Sequence, residues 1–319
     1  MWVTTKPLQL GVHLGQQNTT MAELGRVWRR LDDVVDWISL WDHLYEAPPN
    51  GGITPHFEAV ATLGAMAAAT SKARLGCLVF CVPYRNPALL AKSIIAIDHI
   101  AEGRFEPGFG AGWHEPEFVA HGYPFEPIGT RFDMLDEGLQ IISGMFSDDE
   151  TTTVDGVHYQ VDQVRTVPGP INGSIRLWSG GSGPKRTPAI AAKYCSGWNV
   201  PYVSPKRYRE LNDRLDQACE AIGRDPATLE RSINLAFHIG ATPAAAAVEL
   251  ERIKTEWAPE MAERITAGAL TGTADRAVER IAEYRDAGAD MVNIALRLPV
   301  DESALDTYLT EVIPAARKI

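Results

Sequence analysis

The sequence is poor in basic residues and lacks long apolar runs. Its 319 residues include 30 Lys and Arg against 41 Asp and Glu, which gives a formal net charge of -11. Nucleic acids and anionic membrane surfaces bind clustered basic residues, so this acidic balance argues against both kinds of partner. No apolar run approaches the roughly 20 residues that span a bilayer, and the first ten residues lack the apolar core of a signal peptide. We therefore expect a cytoplasmic protein with no membrane or nucleic-acid partner.

Cysteine is scarce, and several common catalytic motifs are missing. The four cysteines include no CxxC pair, which suits a reducing compartment better than a disulfide scaffold. The spacing of His114, Glu115 and His121 does not match the HExxH zinc motif, so we predict no metal site. The absence of GxSxG argues against a serine hydrolase, and the absence of GxxxxGK(S/T) argues against a P-loop.

Short apolar segments alternate with longer amphipathic segments along nearly the whole chain. Such alternation is typical of parallel strands joined by right-handed helical crossovers, and a count of eight strands predicts a closed (β/α)8 barrel, the TIM barrel. A doubly wound sheet is the alternative, but no GxGxxG follows the first strand. The predicted strands are Leu8–Leu14, Trp37–Trp41, Arg74–Val82, Phe105–Gly110, Ile175–Ser179, Ser196–Val200, Ser232–Ile239 and Met291–Leu296.

One segment interrupts the alternation. Thr151–Val167 has the period of a β hairpin around Asp155-Gly156, which is a common hairpin turn. We interpret it as a small β insertion after strand four that lies outside the barrel. No linker or change of composition divides the chain, so residues 1–319 are predicted to form a single barrel domain.

Functional side chains of such a barrel lie just after its strands. Trp41, Asp42 and His43 follow the second predicted strand, and a histidine there could bond a ring carbonyl or move a proton near neutral pH. The structural alternative is an aspartate that caps a helix beside a histidine satisfied in the core. After the fourth strand, Gly108 to Trp113 has three alternating glycines that let the backbone approach a ligand, and its tryptophan could stack on a flat ring.

Glycines run directly into a helix N-terminus after the fifth predicted strand. The segment from Ser179 to Thr187 reads SGGSGPKRT. Backbone N–H groups there, together with the positive end of the helix dipole, would bind an anion, and Lys185 and Arg186 would add charge. An acidic protein needs such a local feature to hold a phosphate. The structural alternative is a flexible turn between strand and helix.

Together these segments resemble the luciferase-like monooxygenase superfamily, in particular its branch of oxidoreductases that depend on coenzyme F420, a deazaflavin. The resemblance extends from about Leu8 to Arg297 and rests on the order of the motifs. Trp113 departs from it, because the sugar-phosphate dehydrogenases of this branch carry a glutamate there; glucose-6-phosphate oxidation is therefore not expected. The matching segments are Asp42-His43, Leu78-Val79, Tyr84 to Pro87, Gly110 to Glu115, Arg131 to Glu137, and Gly180 to Gly183 leading to Ala191-Ala192.

The resemblance implies a homodimer, a cofactor phosphate after strand five, and a bulge with a cis peptide at Leu78-Val79. It implies that His43 is the catalytic acid or base beside the ring. The residues expected to wall the substrate pocket are Trp41, Tyr45 and Trp178. The implied cofactor-binding residues are Asp42, Leu78, Val79, Cys81, Gly110, Ala111, Gly112, Trp113, Gly180, Gly181, Ser182 and Gly183.

Three functions follow from these features. The first is hydride transfer between coenzyme F420 and a small organic substrate. The second is an FMN-dependent monooxygenase that needs oxygen and a separate reductase. The third is a non-catalytic barrel that binds a flavin-like ligand as a sensor or carrier. A metal-dependent barrel hydrolase is disfavoured because no set of metal ligands follows the strands.

Overall fold

The computed structural model describes residues 6–46 and 52–319. Eight parallel strands close into a barrel, as predicted, in the order β1-β2-β3-β4-β7-β8-β9-β11, with β11 pairing again with β1. In chain order the strands are β1 Gln9–Leu14, β2 Trp37–Leu40, β3 Arg74–Cys81, β4 Phe105–Gly110, β5 Thr152–Asp155, β6 Gln160–Val164, β7 Trp178–Gly180, β8 Gly197–Pro201, β9 Glu230–Ile239, β10 Ala269–Gly272 and β11 Met291–Leu296.

Helices cover the outside of the barrel. Alternate residues of β1, Leu10, Val12 and Leu14, face these helices and are almost completely buried. Within the described ranges, no helix is long and apolar enough to cross a membrane. In chain order the helices are α1 Met21–Asp32, α2 Ala59–Ala69, α3 Pro87–Ile100, α4 Glu115–Ala120, α5 Ile128–Met145, α6 Arg186–Tyr194, α7 Pro205–Ala221, α8 Pro243–Glu256, α9 Pro259–Ala267, α10 Ala274–Asp286, α11 Glu302–Thr307 and α12 Ile313–Ala316.

The strand predictions need two corrections. The predicted strand Ile175–Ser179 pairs only over Trp178–Gly180, because Ile175 and Leu177 are buried apolar residues that precede the ladder. The sequence analysis also missed β10, which pairs with the last four residues of β9, beyond the point where β8 ends. A strand of four residues is too short to give a recognisable alternation.

The predicted β insertion is confirmed as an antiparallel hairpin of β5 and β6, outside the barrel. Glu137 on α5 holds its turn. The carboxylate accepts hydrogen bonds from the backbone N–H groups of Val157 at 3.0 Å, His158 at 2.7 Å and Tyr159 at 3.0 Å. These bonds fix the hairpin to the outer helical layer, away from the ends of the barrel strands.

Tryptophan and glycine fill the barrel interior together. Trp37 and Trp178 are fully buried, and their rings lie 5.4 Å apart. A Cβ atom added to Gly197 would lie 2.5 Å from the Trp178 ring, and one added to Gly76 would overlap the Trp37 ring. The two indoles therefore fit because glycine occupies the facing positions on neighbouring strands.

An ion network closes the N-terminal end of the barrel. Arg74, the first residue of β3, contacts Glu106 at 2.8 Å and Glu230 at 3.0 Å. Arg176 contacts Glu230 at 2.7 Å, and Trp178 Nε1 donates a hydrogen bond of 2.8 Å to Glu106. Both glutamates lie at the starts of their strands, so the network lies at the end opposite to the candidate site.

The expected bulge in β3 is present, and the Leu78-Val79 peptide is cis. The pairing of β3 with β4 shifts register between Cys77 and Phe80. The Val79 side chain occupies space that side chains on β4 and β7 would otherwise fill: Cβ atoms added to Gly110 and Gly180 would lie 2.7 and 2.5 Å from it. Glycine at these strand ends thus makes room for the bulge.

The fit of indole against glycine predicts the cost of one methyl group. Gly76→Ala should lower the free energy of unfolding by about 1–3 kcal/mol, because the methyl group would overlap the Trp37 indole and force repacking. Gly64→Ala is the matched control, since an added Cβ on this helical residue meets no atom within 4 Å. The control should leave stability unchanged or raise it by up to about 1 kcal/mol. Urea unfolding measures both variants, and equal free energies would contradict the steric account.

Candidate functional site

Three loops meet at the C-terminal ends of neighbouring strands around His43. The loop after β2 carries His43, the loop after β3 carries Tyr84, and the segment after β4 leads to Glu117 on α4. His43 Nδ1 lies 2.8 and 3.0 Å from the two carboxylate oxygens of Glu117. The histidine side chain is 16% exposed and that of the glutamate 1%. His43 Nε2 has no hydrogen-bond partner among residues 6–46 and 52–319.

Glu117 is ionised at neutral pH. Burial alone would raise the pKa of its carboxyl, but hydrogen bonds from His43, the Tyr84 hydroxyl and the Tyr45 N–H outweigh burial and lower it. The distances are 2.9 Å to the Tyr84 hydroxyl and 3.3 Å to the backbone nitrogen of Tyr45. A carboxylate only accepts hydrogen bonds, so His43 carries its proton on Nδ1. The other nitrogen is then free to exchange a proton with a ligand.

Aromatic side chains surround His43. Its ring centroid lies 5.6 Å from Trp113, 6.3 Å from His114 and 6.4 Å from Trp41, each near an edge-to-face angle. Trp113 is 58% exposed, whereas Trp41 is buried. Tyr45 is half-buried, and its ring centroid lies 4.8 Å from that of His121, with the two rings tilted by 57°. The structure therefore brings the predicted residues Trp41, Tyr45 and Trp113 together with His43.

Trp178 is not part of this group, and its place in a pocket wall stays a prediction that its burial does not support. Its ring is fully buried against Trp37, Leu78 and Met291 inside the barrel. Its indole N–H is used by Glu106 in the network at the N-terminal end. Trp178 is the first residue of β7, so its side chain lies deeper in the barrel than the C-terminal end of that strand. It belongs to the core.

The Asp42 carboxylate is bonded to protein groups, and its contact with a cofactor stays a prediction. Its buried carboxylate accepts two hydrogen bonds from Arg85, at 2.6 and 2.8 Å, and one of 3.0 Å from the Cys81 N–H. Asp42 thus ties the loop after β2 to the loop after β3. Its role is to position these loops.

Cys81 packs against Gly112, which lies in the loop after β4. The Cys81 thiol is buried with Tyr84 and Phe118, and burial raises its pKa well above the ordinary value. Gly112 has φ of 76°, and an added Cβ would lie 2.7 Å from the Cys81 sulfur and 2.6 Å from the Phe118 ring. Arg131 donates a hydrogen bond to the Gly112 carbonyl. Ala111 beside it is also buried.

The predicted anion site has backbone donors, but fewer than expected. The Gly181 N–H is used by the Asn199 carbonyl at 3.0 Å. By contrast, the N–H groups of Ser182 and Gly183 have no acceptor within the described part of the chain. Lys185 precedes α6 and makes no side-chain cap. These groups and the start of α6 remain available to an anion.

The positive charge expected from Arg186 is already neutralised. Arg186 contacts Asp133 at 2.5 Å and donates to the Gly129 carbonyl at 2.8 Å. Its guanidinium also lies over the Phe132 ring. Arg186 therefore holds α6 against α5, and it adds little to the anion site.

The sequence analysis missed several polar residues at this end of the barrel. His13 Nδ1 lies 2.9 Å from Ser39 Oγ, and both side chains are buried inside the barrel. The Gln16 amide donates to the Trp41 carbonyl at 2.5 Å, while its own oxygen has no partner. Alternation along β1 and β2 could have placed His13 and Ser39 on the inward face that Trp37 shares.

His13 should make the protein less stable in acid. Burial, and to a smaller extent the charge of His43, lowers the pKa of His13 from 6.5 to about 3. Between these two values the unfolded chain binds a proton at His13 that the folded chain does not bind. The contribution of His13 to the free energy of unfolding is therefore fully present above about pH 6.5 and is lost as the pH falls toward 3. When the pH is lowered from 7 to 5, the free energy of unfolding should fall for both proteins, and the fall for His13→Gln should be about 2 kcal/mol smaller than that for the parent protein. Urea unfolding at both pH values measures the difference, and equal losses would contradict this account.

Known proteins resemble the chain both in sequence and in fold. Residues 35–291 match a family model described as luciferase-like monooxygenase. Pyrimidine monooxygenase RutA of Agrobacterium fabrum is 29% identical over 187 residues, which cover 57% of this chain and 50% of that protein. The chain spans about half the length of the curated relatives that it matches.

Two solved structures share the fold at low sequence identity. An F420-dependent secondary alcohol dehydrogenase in complex with an F420–acetone adduct has a TM-score of 0.83 at 19% identity, over 97% of this chain and 99% of that chain. The oxygenating constituent of 3,6-diketocamphane monooxygenase from Pseudomonas putida, in complex with FMN, has a TM-score of 0.72 at 14% identity, over 96% and 98%. Since the family model covers most of the chain, the protein belongs to the luciferase-like monooxygenase family.

Proposed function

We propose that this protein is an oxidoreductase that transfers a hydride between coenzyme F420 and a small organic substrate. The observation that supports it most strongly is the His43 imidazole, which has one nitrogen on a buried carboxylate and the other without a partner among residues 6–46 and 52–319. Such a group can give a proton to, or take one from, an oxygen or nitrogen of the substrate. A sensor or carrier would have no need of a proton-transfer group held in this way.

The chain offers groups that fit a phosphate-bearing flavin or deazaflavin. Ser182 and Gly183 offer free backbone N–H groups at the start of α6, where a phosphate would bind. A buried polar atom without a partner among the described residues is Trp41 Nε1, which could bond the polar edge of a ring. Val79 and the glycines around it would hold the face of that ring. Bound F420 would supply or accept the hydride.

The protein's own residues would supply the proton and the environment. Glu117 keeps the Nδ1 proton of His43 in place, so Nε2 is the atom that exchanges a proton with the substrate. Trp41 and Trp113 would exclude water from the reacting atoms and would favour a small apolar or aromatic substrate. For oxidation, Nε2 takes the proton of the substrate's hydroxyl group while the carbon gives up its hydride. For reduction, Nε2 first takes up a proton from solvent, and the substrate heteroatom gains that proton as its carbon gains the hydride.

An FMN-dependent monooxygenase is the second candidate. The similarity to the pyrimidine monooxygenase and the likeness to the FMN complex support it. The likeness to the F420 complex supports the first. The chemistry of the chain suits either cofactor, since both carry a tricyclic ring and a phosphate. The homodimer and the cytoplasmic location stay predictions.

Cofactor titration separates these candidates. Purified protein is titrated with coenzyme F420 and, separately, with FMN, and quenching of ligand fluorescence is followed. We expect tight binding of F420 alone, because the proposed hydride transfer uses this cofactor. Tight binding of FMN alone would replace the proposal with the monooxygenase. Binding of neither would show that Gly180–Gly183 is not a phosphate site.

The role of His43 predicts a loss of rate without a loss of cofactor. His43→Ala should slow hydride transfer about 10²–10⁴-fold, because the proton-transfer group is removed, while F420 affinity is retained. Stopped-flow absorbance of the deazaflavin measures the rate with a substrate from a screen of secondary alcohols, which donate a hydride, and of cyclic enones and quinones, which accept one. His99→Ala is the control, since His99 lies on α3 and bonds the Gly169 carbonyl far from the site. Full turnover in the His43 variant would remove this residue from the mechanism.

A further inference from the structure

We propose that Glu117 is the positioning residue that fixes His43 with its proton on Nδ1 and leaves Nε2 for the reaction. The inference rests on the proposed function, in which His43 exchanges a proton with the substrate. Glu117 lies 74 positions from His43 in the chain and reaches it from another strand-end loop. It does not approach the substrate in this account. It acts through the histidine.

Both oxygens of Glu117 are fully used. Oε1 accepts from His43 Nδ1 at 2.8 Å and from the Tyr45 N–H at 3.3 Å. Oε2 accepts from His43 Nδ1 at 3.0 Å and from the Tyr84 hydroxyl at 2.9 Å. Two donors on each oxygen fix the carboxylate plane, and the plane in turn fixes the imidazole ring. The same arrangement of a histidine held by a carboxylate orients catalytic imidazoles in other enzymes.

The short helix α4 holds Glu117 in register through its neighbours. Phe118 is fully buried and packs against Tyr84 at 4.7 Å and Phe125 at 5.1 Å between ring centroids. The Tyr123 N–H donates to the Phe118 carbonyl at 2.8 Å. The packing of one aromatic cluster therefore sets the position of the adjacent carboxylate.

Three further histidines lie close to His43, and burial favours their neutral form. Burial lowers the pKa of His13 to about 3 and that of His56 to about 4, and it also lowers the pKa of His114. They come from β1, from the segment before α2 and from the segment before α4. Positive charge that develops on His43 is thus matched by the contacting carboxylate of Glu117. Removal of that charge should leave the imidazole without a fixed tautomer.

The first test is a spectroscopic measurement on the whole protein without cofactor. Protein labelled with ¹⁵N at its eight histidines is studied at pH 8.5 by long-range ¹H–¹⁵N correlation, and the His43 signals are those absent from His43→Gln. We expect the parent protein to show a protonated Nδ1 and an unprotonated Nε2. An Nε2–H tautomer in the parent protein would overturn the proposal, whatever the cofactor turns out to be.

Variants of Glu117 then separate charge from shape. Glu117→Gln should convert His43 to a mixture of tautomers and slow hydride transfer at least tenfold with F420 affinity unchanged, because one neutral carbonyl replaces two charged acceptors. Glu117→Asp keeps the charge and should retain most of the Nδ1–H tautomer. Glu115→Gln is the matched control, an exposed residue two positions earlier on α4, and should change neither property.

The outcomes distinguish this inference from the proposed function. An unchanged tautomer in Glu117→Gln would overturn the positioning role, even if F420 binds and turns over. Failure of F420 to bind, together with the expected tautomers, would overturn the proposed function and leave the positioning role standing. If Glu117→Gln does not fold, the parent spectrum and Glu117→Asp decide, since loss of the Nδ1–H tautomer in either would contradict the inference.

Discussion

The interior of an eight-stranded barrel has to be filled by side chains of its own strands, and most of this structure depends on that constraint. Trp37 and Trp178 fill the interior near the starts of their strands, and glycines on the neighbouring strands make room for them. At the C-terminal end the Val79 side chain fills the interior in the same way, and Gly110 and Gly180 make room for it. Glycine at these strand ends thus has a packing role, which any role in cofactor binding must share.

The sequence was sufficient to predict the barrel and most of its strands. Two strands, Phe105–Gly110 and Met291–Leu296, have the predicted bounds, because buried apolar runs end at clear turn residues. Site residues were harder to predict where their role depended on how deep in the barrel the side chain lies. Trp178 directly precedes the glycine-rich segment, yet its ring lies low in the barrel, and the level of a residue depends on the stagger between strands.

Partners that are distant in the chain could not be predicted. Glu117 lies on a helix of only six residues, and no local pattern in the sequence links it to His43. Asp42 had the right position for a ligand contact, but its carboxylate is turned toward Arg85. Local pattern identifies the strand ends where chemistry is expected. Which side chain faces which neighbour is decided by tertiary packing.

The acidic surface and the site fit together in a simple way. A protein with a net charge of -11 repels anions at long range, so a phosphate must be held by short-range donors. The N–H groups of Ser182 and Gly183 are such donors, and Arg186 is not, because Asp133 already holds it. Salt should therefore have little effect on affinity at this site compared with sites built from several lysines.

The ion network of Arg74, Glu106 and Glu230 occupies the N-terminal end of the barrel, so ligands of the proposed site would enter from the C-terminal end. Two ligands that share a space with one entrance must enter in sequence, the deeper one first, and must leave in the reverse order. A ligand held along the ends of β4 and β7 would lie beneath anything bound between His43 and Trp113. The substrate would then be exchanged in every catalytic cycle while the deeper ligand stays, and steady-state kinetics would follow an ordered scheme.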